Sequence, residues 1–135
     1  MDNKIITVLL AGNIDKMSKK LEECFSVISE NNGRQAVQTL RENAGIVDVV
    51  ILDLMSFDVL AEMRADEELS KIPVIAVTPE NSPESCKLAL ELGAADFVSE
   101  NTDKALLAHR VKSVLGFPKR FPRYPKASGP TIQVS

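Results

Sequence analysis

The stretch that most constrains the fold is residues 47–53, which read Val-Asp-Val-Val-Ile-Leu-Asp. Five of the seven are apolar, four of those are β-branched, and polar residues do not alternate with apolar ones. Such a run is typical of a strand buried on both faces, as in the centre of a parallel sheet. It ends at Asp53, and open α/β sheets bind ligands at the carboxyl ends of their strands. Asp53 is therefore either a functional carboxylate or the residue that ends the strand and caps the next turn.

Four further segments predict strands, because each is a short apolar run bounded by turn residues: 5–11, 25–29, 74–77 and 95–99. The segment 25–29 is more polar than the others, so it fits a sheet edge. Between the strands, apolar residues recur at helical spacing among charged ones. Five strands alternating with five helices predict an α/β fold with right-handed crossovers and a doubly wound parallel sheet. The first and third strands should be central neighbours.

Several residue types mark the predicted helix ends. Asp15, Ser82 and Thr102 are the predicted N-caps of the first, fourth and last helices. Pro83 suits the first turn of the fourth helix, and Gly93 suits its C-terminal end.

The two cysteines, Cys24 and Cys86, lie among helix-spaced apolar residues and have no nearby Cys or His in the sequence. We predict that both are small buried hydrophobic residues and not metal ligands. Two free thiols also fit a reducing compartment.

Length and charge limit the class of protein. The 135 residues are enough for one domain that needs neither a metal nor a disulfide for stability. A net charge of −3 gives no reason to expect nucleic acid as a partner. No apolar run has the length that crosses a membrane, and no basic segment leads into one at the N-terminus. A cytoplasmic protein without membrane contact is therefore expected.

The composition changes after Leu115. Residues 116–126 contain four basic residues and no acidic one, together with prolines and aromatic residues. We therefore divide the chain into a domain at residues 1–116 and a proline-rich basic tail or linker at residues 117–135, extended and partly polyproline-like. Basic residues interleaved with aromatic ones also suit nucleic acid, but on an acidic domain a solvated tail is the simpler interpretation.

In order and spacing, residues 4–115 resemble the receiver domain of response regulators, the CheY-like domain of two-component signalling. The segments that carry the resemblance are the apolar first strand with its two-residue turn and residues 32–37, 49–53, 72–78 and 90–98. The resemblance implies a flavodoxin-like fold, with a five-stranded parallel sheet in the order 2-1-3-4-5 and five helices. In that family an aspartate at the end of the third strand accepts a phosphoryl group, and here that position is Asp53.

The resemblance also implies a phosphorylation site, of which this chain retains only a part. The family has an acidic pair after the first strand, a hydroxyl after the fourth and a lysine after the fifth. These positions hold Gly12 and Asn13, Thr78, and Glu100. The hydroxyl is therefore retained, whereas the two metal ligands and the cation are replaced by a hydrogen, a neutral amide and a carboxylate.

The remaining candidate metal ligands are Asn13, Asp53 and the backbone carbonyl of Met55. Mg²⁺ prefers carboxylate oxygens in near-octahedral geometry, while Ca²⁺ tolerates irregular sets of oxygens. We expect Mg²⁺ or Ca²⁺ to bind with about millimolar affinity at best, on the order of other weak oxygen sites. No tightly bound cofactor is expected.

Two positions match the residues through which the family signals. They are Thr78, which moves towards the phosphoryl group, and Phe97, an aromatic on the fifth strand that turns inward. Each position has a second interpretation: Thr78 as a strand-end hydroxyl bonded to the local backbone, and Phe97 as a core aromatic.

The leading hypothesis is a degenerate receiver, or pseudo-receiver, with weak or absent phosphorylation and no enzymatic activity. Such a module would bind a protein partner or a second copy through helix 4, strand 5 and helix 5. The alternative is a true phosphoacceptor in which a histidine kinase phosphorylates Asp53 and Glu100 serves as a replacement metal ligand. A third class, a nucleotide or small-ligand sensor, has no phosphate-binding loop in the sequence to support it.

Overall fold

The computed structural model describes residues 5–12, 14–53, 57–78 and 82–116, apart from the side chains of Asp15 and Phe57. The strands in these ranges are β1 (Thr7–Ala11), β2 (Ser26–Glu30), β3 (Val49–Asp53), β4 (Val74–Thr78) and β5 (Asp96–Ser99). The helices are α1 (Asp15–Glu22), α2 (Gly33–Glu42), α3 (Phe57–Ala65), α4 (Pro83–Glu91) and α5 (Lys104–Val114). A short 3-10 helix at Leu69–Lys71 follows α3. None of the helices in the described ranges has the length and apolar character needed to cross a bilayer.

The five strands form one parallel sheet in the order β2-β1-β3-β4-β5. This confirms the predicted topology. β1 and β3 are central neighbours, and every residue of β1 is buried. In β3 the residue that is only partly buried is Asp53, at its end. β2 lies at an edge of the sheet, and its two serines are exposed there.

Alternate side chains of the central strands pack on the two faces of the sheet. On one face, residues such as Leu10 and Ile51 pack against α1 and α5. On the other face, Leu9 and Leu52 pack against α2 and α3. Each fully buried side chain of this size stabilises the fold by roughly 1.5–3 kcal/mol relative to an exposed one. Because helices cover both faces of the sheet, successive residues within a central strand are apolar, as the sequence shows.

α4 packs on the sheet through small side chains. Within α4, all of which is described, the buried residue is Ala89. It packs with Ala76 of β4 and with Ala94, and Phe97 of β5 is partly buried beside them. The large apolar side chains at α4 remain exposed: Leu88, Leu90 and Leu92. α4 is therefore attached to the sheet by little apolar surface.

A carboxylate interrupts the apolar run just before β3, and the structure explains its presence. Oδ2 of Asp48 accepts a hydrogen bond of 2.9 Å from the backbone N–H of Thr7. The N–H of Asp48 donates in return to the carbonyl oxygen of Thr7, also at 2.9 Å. The two bonds join the segments entering β1 and β3, so they fix the register of the central strand pair.

The predicted start of α4 is confirmed, whereas Gly93, the predicted C-cap, lies one residue beyond the C-cap Leu92. The Ser82 hydroxyl accepts a hydrogen bond from the Ser85 N–H, and Pro83 lies in the first turn. Gly93 follows the C-cap residue Leu92 with a φ of +106°, a conformation that glycine adopts without strain.

The predicted caps of α1 and α5 are wrong. The N-cap of α5 is Asp103, whose Oδ1 accepts a 2.9 Å hydrogen bond from the Leu106 N–H. Thr102 instead lies one residue earlier, where its hydroxyl accepts a hydrogen bond from the N–H of Ser99 at the end of β5. The cap position of α1 is Ile14, so Asp15 is already the first helical residue.

The prediction that both cysteines are buried is wrong for Cys24, which is exposed. α1 ends at Glu22, so Cys24 lies in the following turn and outside the helical periodicity on which the prediction rested. Cys86 is half-buried on α4, and both thiols are free.

Asp66, just after α3, holds the 3-10 helix and α2 together. Its Oδ1 accepts hydrogen bonds from the N–H groups of Leu69 and Glu68, and its Oδ2 lies 3.5 Å from Nε of Arg41. The bond from Leu69 is the largest cause that lowers the pKa of Asp66, and the Glu68 bond and the Arg41 charge act in the same direction against partial desolvation.

A change of Asp66 to Asn is expected to alter the pH dependence of stability. Because folding lowers the pKa of Asp66, its ionised form stabilises the native state above about pH 4, and this stabilisation is lost as the pH falls through the lowered pKa. Asn retains an acceptor oxygen but does not ionise. The melting temperature of Asp66→Asn should therefore lie below that of the wild type at neutral pH, and the two should converge in acid. A constant difference across this range would contradict the assignment.

Candidate functional site

The candidate site lies at the carboxyl ends of the strands, where parallel sheets place their ligand sites. Asp53 at the end of β3 pairs with Val77 of β4, one residue before Thr78. Thr78 in turn pairs with Ser99 of β5, which directly precedes Glu100. The structure therefore arranges the predicted acceptor, the hydroxyl and the position of the family lysine along one edge of the sheet.

Gly12 lies directly against the side chain of Asp53. Ala11 pairs with Leu52, so the next residues along the two strands are Gly12 and Asp53. In continued parallel strands their Cβ positions would be about 5 Å apart, the spacing of neighbouring strands. The backbone instead turns at Gly12 with a φ of +118°, and a Cβ there would lie 2.4 Å from Cβ and 3.2 Å from Oδ2 of Asp53. A side chain at position 12 would require movement of the backbone.

This contact changes what the site can bind. Position 12 is one of the two positions at which the resemblance implies a metal-binding carboxylate, and Gly12 offers neither a side-chain oxygen nor, in this backbone conformation, space for a side chain. The N–H of Gly12 donates to the carbonyl oxygen of Glu30 at 2.9 Å, which holds the turn in place. No group of three His, Cys, Asp or Glu side chains that could hold a metal occurs in the described ranges.

Two of the predicted metal ligands, Asn13 and the carbonyl of Met55, lie outside the described residues.

Thr78 is buried at the end of β4, with 1% of its surface exposed. Its hydroxyl donates to the carbonyl oxygen of Val98 in β5 at 3.3 Å. Its own carbonyl accepts a hydrogen bond from the N–H of Glu100, also at 3.3 Å. The contact with the backbone of β5 supports the interpretation of Thr78 as a strand-end hydroxyl bonded to the local backbone.

Glu100 and Phe97 lie in contrasting environments. Glu100 is exposed in the turn after β5. The ring of Phe97 is half-buried against Ala76, Ala89 and Ala94. This packing supports the interpretation of Phe97 as a core aromatic, accommodated because its three neighbours are small.

The loop between β5 and α5 is the part of the site that the sequence analysis did not predict. Ser99 donates its N–H to the hydroxyl of Thr102 at 3.1 Å, and Thr102 donates its N–H to the carbonyl of Ser99 at 3.0 Å. Asn101 donates its N–H to the hydroxyl of Ser99 at 3.1 Å. With the bond from Glu100 to Thr78, every backbone N–H of residues 99–102 has an acceptor within the chain. Ser99, Asn101 and Thr102 within four residues are a turn signal that could have indicated such a loop.

Comparison with known proteins adds to this geometry. Residues 7–112 match the response regulator receiver domain family. The chain is 27% identical over 118 residues to the two-component response regulator ORR3 of Oryza sativa subsp. indica, which covers 82% of this chain and 86% of that protein. It is 31% identical over 120 residues to the transcriptional regulatory protein CpxR of Klebsiella pneumoniae, covering 84% of this chain and 49% of CpxR.

A further relative is a probable cyclic di-GMP phosphodiesterase of Vibrio cholerae, 28% identical over 106 residues. The match covers 76% of this chain but only 24% of that enzyme. The chain therefore spans about a quarter of the phosphodiesterase and about half of CpxR, but most of ORR3.

Solved structures show the same fold. A putative response regulator of Chloroflexus aurantiacus superposes with a TM-score of 0.77 at 20% identity, covering 84% of this chain and 99% of that chain. The receiver domain of the sensor histidine kinase PA1611 of Pseudomonas aeruginosa, which has a magnesium ion in its active site cleft, gives a TM-score of 0.73 at 21% identity. That match covers 84% of this chain and 99% of the other.

Proposed function

The chain belongs to the response regulator receiver domain family, and we propose that it acts in two-component signalling as an interaction module in which phosphorylation of Asp53 is weak or absent. It would be a pseudo-receiver without enzymatic activity on other molecules. The observation that carries this proposal is the contact between Gly12 and Asp53, because the side chain of Asp53 occupies the space in which a carboxylate at position 12 would begin.

The electrostatics of the edge also support the proposal. Phosphoryl transfer to a carboxylate depends on metal ions and cations that neutralise the developing charge, and the protein supplies little covalent chemistry. Position 12 supplies no negative ligand for a metal, and position 100 supplies a carboxylate where the family has a lysine. A phosphoryl group on Asp53 would therefore lack attraction from either source. For this chain we expect Mg²⁺ or Ca²⁺ affinity of about millimolar at best, in contrast to the PA1611 receiver domain, which has magnesium in its cleft.

The partner we propose is a protein, or a second copy of the chain, bound at the surface formed by α4, β5 and α5. Exposed leucines lie on this part of the fold: Leu88, Leu90, Leu92 and Leu106. Apolar side chains that the fold itself does not bury suit the centre of an interface. A histidine kinase is among the partners that this role implies.

Treatment with acetyl phosphate and Mg²⁺, followed by intact mass measurement, tests the proposal. We expect no stoichiometric gain of a phosphoryl group, because position 12 offers no side-chain metal ligand and the side chain of Asp53 fills the space that one would need. A receiver domain with two acidic residues after its first strand, treated in parallel, controls for the activity of the reagent.

A stoichiometric mass increase that disappears in Asp53→Asn would contradict this proposal and establish the alternative, a phosphoacceptor with an atypical metal site. The observation that favours this alternative is that Asp53 is partly exposed at the carboxyl end of β3, where a reagent can reach it.

A further inference from the structure

We propose that Lys20 and Thr102 form a clamp that holds the loop between β5 and α5 in one conformation without a metal ion or a phosphoryl group. Lys20 lies in the last turn of α1, and its Nζ donates to the carbonyl oxygen of Thr102 at 2.7 Å. The bond is partly buried and joins residues 82 positions apart in the sequence. A charged donor makes a stronger hydrogen bond than a neutral one, and partial burial reduces competition from water.

Thr102 is the centre of the loop's hydrogen bonds. Its hydroxyl accepts from the N–H of Ser99, its N–H donates to the carbonyl of Ser99, and its carbonyl accepts from Lys20. All three polar groups of this residue are therefore engaged. If Lys20 is removed, the Thr102 carbonyl loses its partner within the chain, and the bonds to Ser99 are the next to weaken.

A second contact between the same elements lies beside the clamp. Lys104, the first residue of α5, forms an ion pair with Glu23, just after α1. Both side chains are about half exposed or more, so this pair contributes less than the partly buried bond of Lys20. Together the two contacts attach α1 to both the loop and the start of α5.

This inference rests on the proposed function and adds how the module is regulated. Because α1 holds the loop, the surface of β5 and α5 keeps one conformation. A partner can therefore bind this surface at all times. Lys20 is then a positioning residue that acts through Thr102. Control over signalling would come from the presence of the partner and not from chemistry at Asp53.

Amide hydrogen exchange of Lys20→Met in the full chain tests the clamp. Met retains the length of the apolar stem but cannot donate. We expect exchange at the amides of residues 99–102 to accelerate about tenfold, as expected for loss of one charge-assisted hydrogen bond, with the central strands unchanged. Lys19→Met, at an exposed neighbouring position, is the matched control and should leave the loop unchanged. Lys20→Arg, which retains a donor, should restore protection.

Three outcomes would overturn the clamp. Unchanged loop exchange in Lys20→Met would show that the bond does not fix the loop. Faster exchange throughout the domain would show that Lys20 supports the whole fold. Altered loop exchange in the wild type with Mg²⁺ and beryllofluoride, a stable phosphoryl analogue, would show that the loop changes conformation when Asp53 carries a phosphoryl analogue. The first two leave the proposal for Asp53 intact, and the mass measurement with acetyl phosphate decides that proposal separately.

Discussion

Replacing Gly12 by Ala is expected to lower the free energy of unfolding by about 2–5 kcal/mol, as the sum of backbone strain and overpacking. The φ of +118° at Gly12 is a conformation that residues with a side chain rarely adopt. The added Cβ would also lie 2.4 Å from Cβ of Asp53, and neither Cβ can move by side-chain rotation because each is bonded directly to the backbone. Urea denaturation measures the change.

Gly45→Ala is the matched control for this substitution. A Cβ at Gly45 would have no atom within 4 Å, and the backbone there is not in the left-handed region. We expect its stability to lie close to that of the wild type. Equal effects of the two substitutions would mean that the turn at Gly12 moves freely. An Asp at position 12 would meet the same obstacle, so restoring the family carboxylate requires a change of the backbone as well as of the side chain.

The second large effect is expected for Ala76→Leu, which should lower the free energy of unfolding by about 1–3 kcal/mol or more through overpacking. Ala76 is fully buried in β4, and its neighbours in the adjacent strands are Leu52 and Phe97. It also faces Ala89 of α4, so the larger side chain would displace either the Phe97 ring or the helix. Thermal or urea unfolding measures the loss.

Ala61→Leu, at an exposed position of α3, controls for the substitution itself and should be nearly neutral. Adding Phe97→Ala to Ala76→Leu should recover part of the lost stability, because the two side chains compete for the same space. Additive losses in the double variant would show that Phe97 does not occupy the space beside Ala76.

The central strands could be predicted from the sequence because a continuous run of apolar residues indicates burial on both faces. Val49, Val50 and Ile51 are apolar on both faces, which is typical of a central parallel strand covered on both sides. The position of Asp53 at the edge of the sheet follows from the same run. The order of the strands came from the resemblance, and the structure confirms it.

Other features depend on contacts that no local pattern encodes. Thr102 and Asp103 are both good cap residues, and the sequence does not tell which one accepts from the first turn of α5. The bond from Lys20 to Thr102 depends on how α1 packs beside α5, two elements far apart in the sequence. The missing carboxylate at Gly12 is visible in the sequence, but its close contact with Asp53 depends on the backbone angle.

The packing of α4 has a consequence for the evolution of this fold. Because Leu88 and Leu90 are 44% and 48% exposed, substitutions there remove less buried surface than substitutions at the fully buried positions of the sheet. Descendants of this protein can therefore vary the outer face of α4 while the sheet beneath is unaffected. A change of partner preference can therefore arise on this helix at little cost to folding, whereas larger side chains in place of the buried alanines beneath it would disrupt the packing.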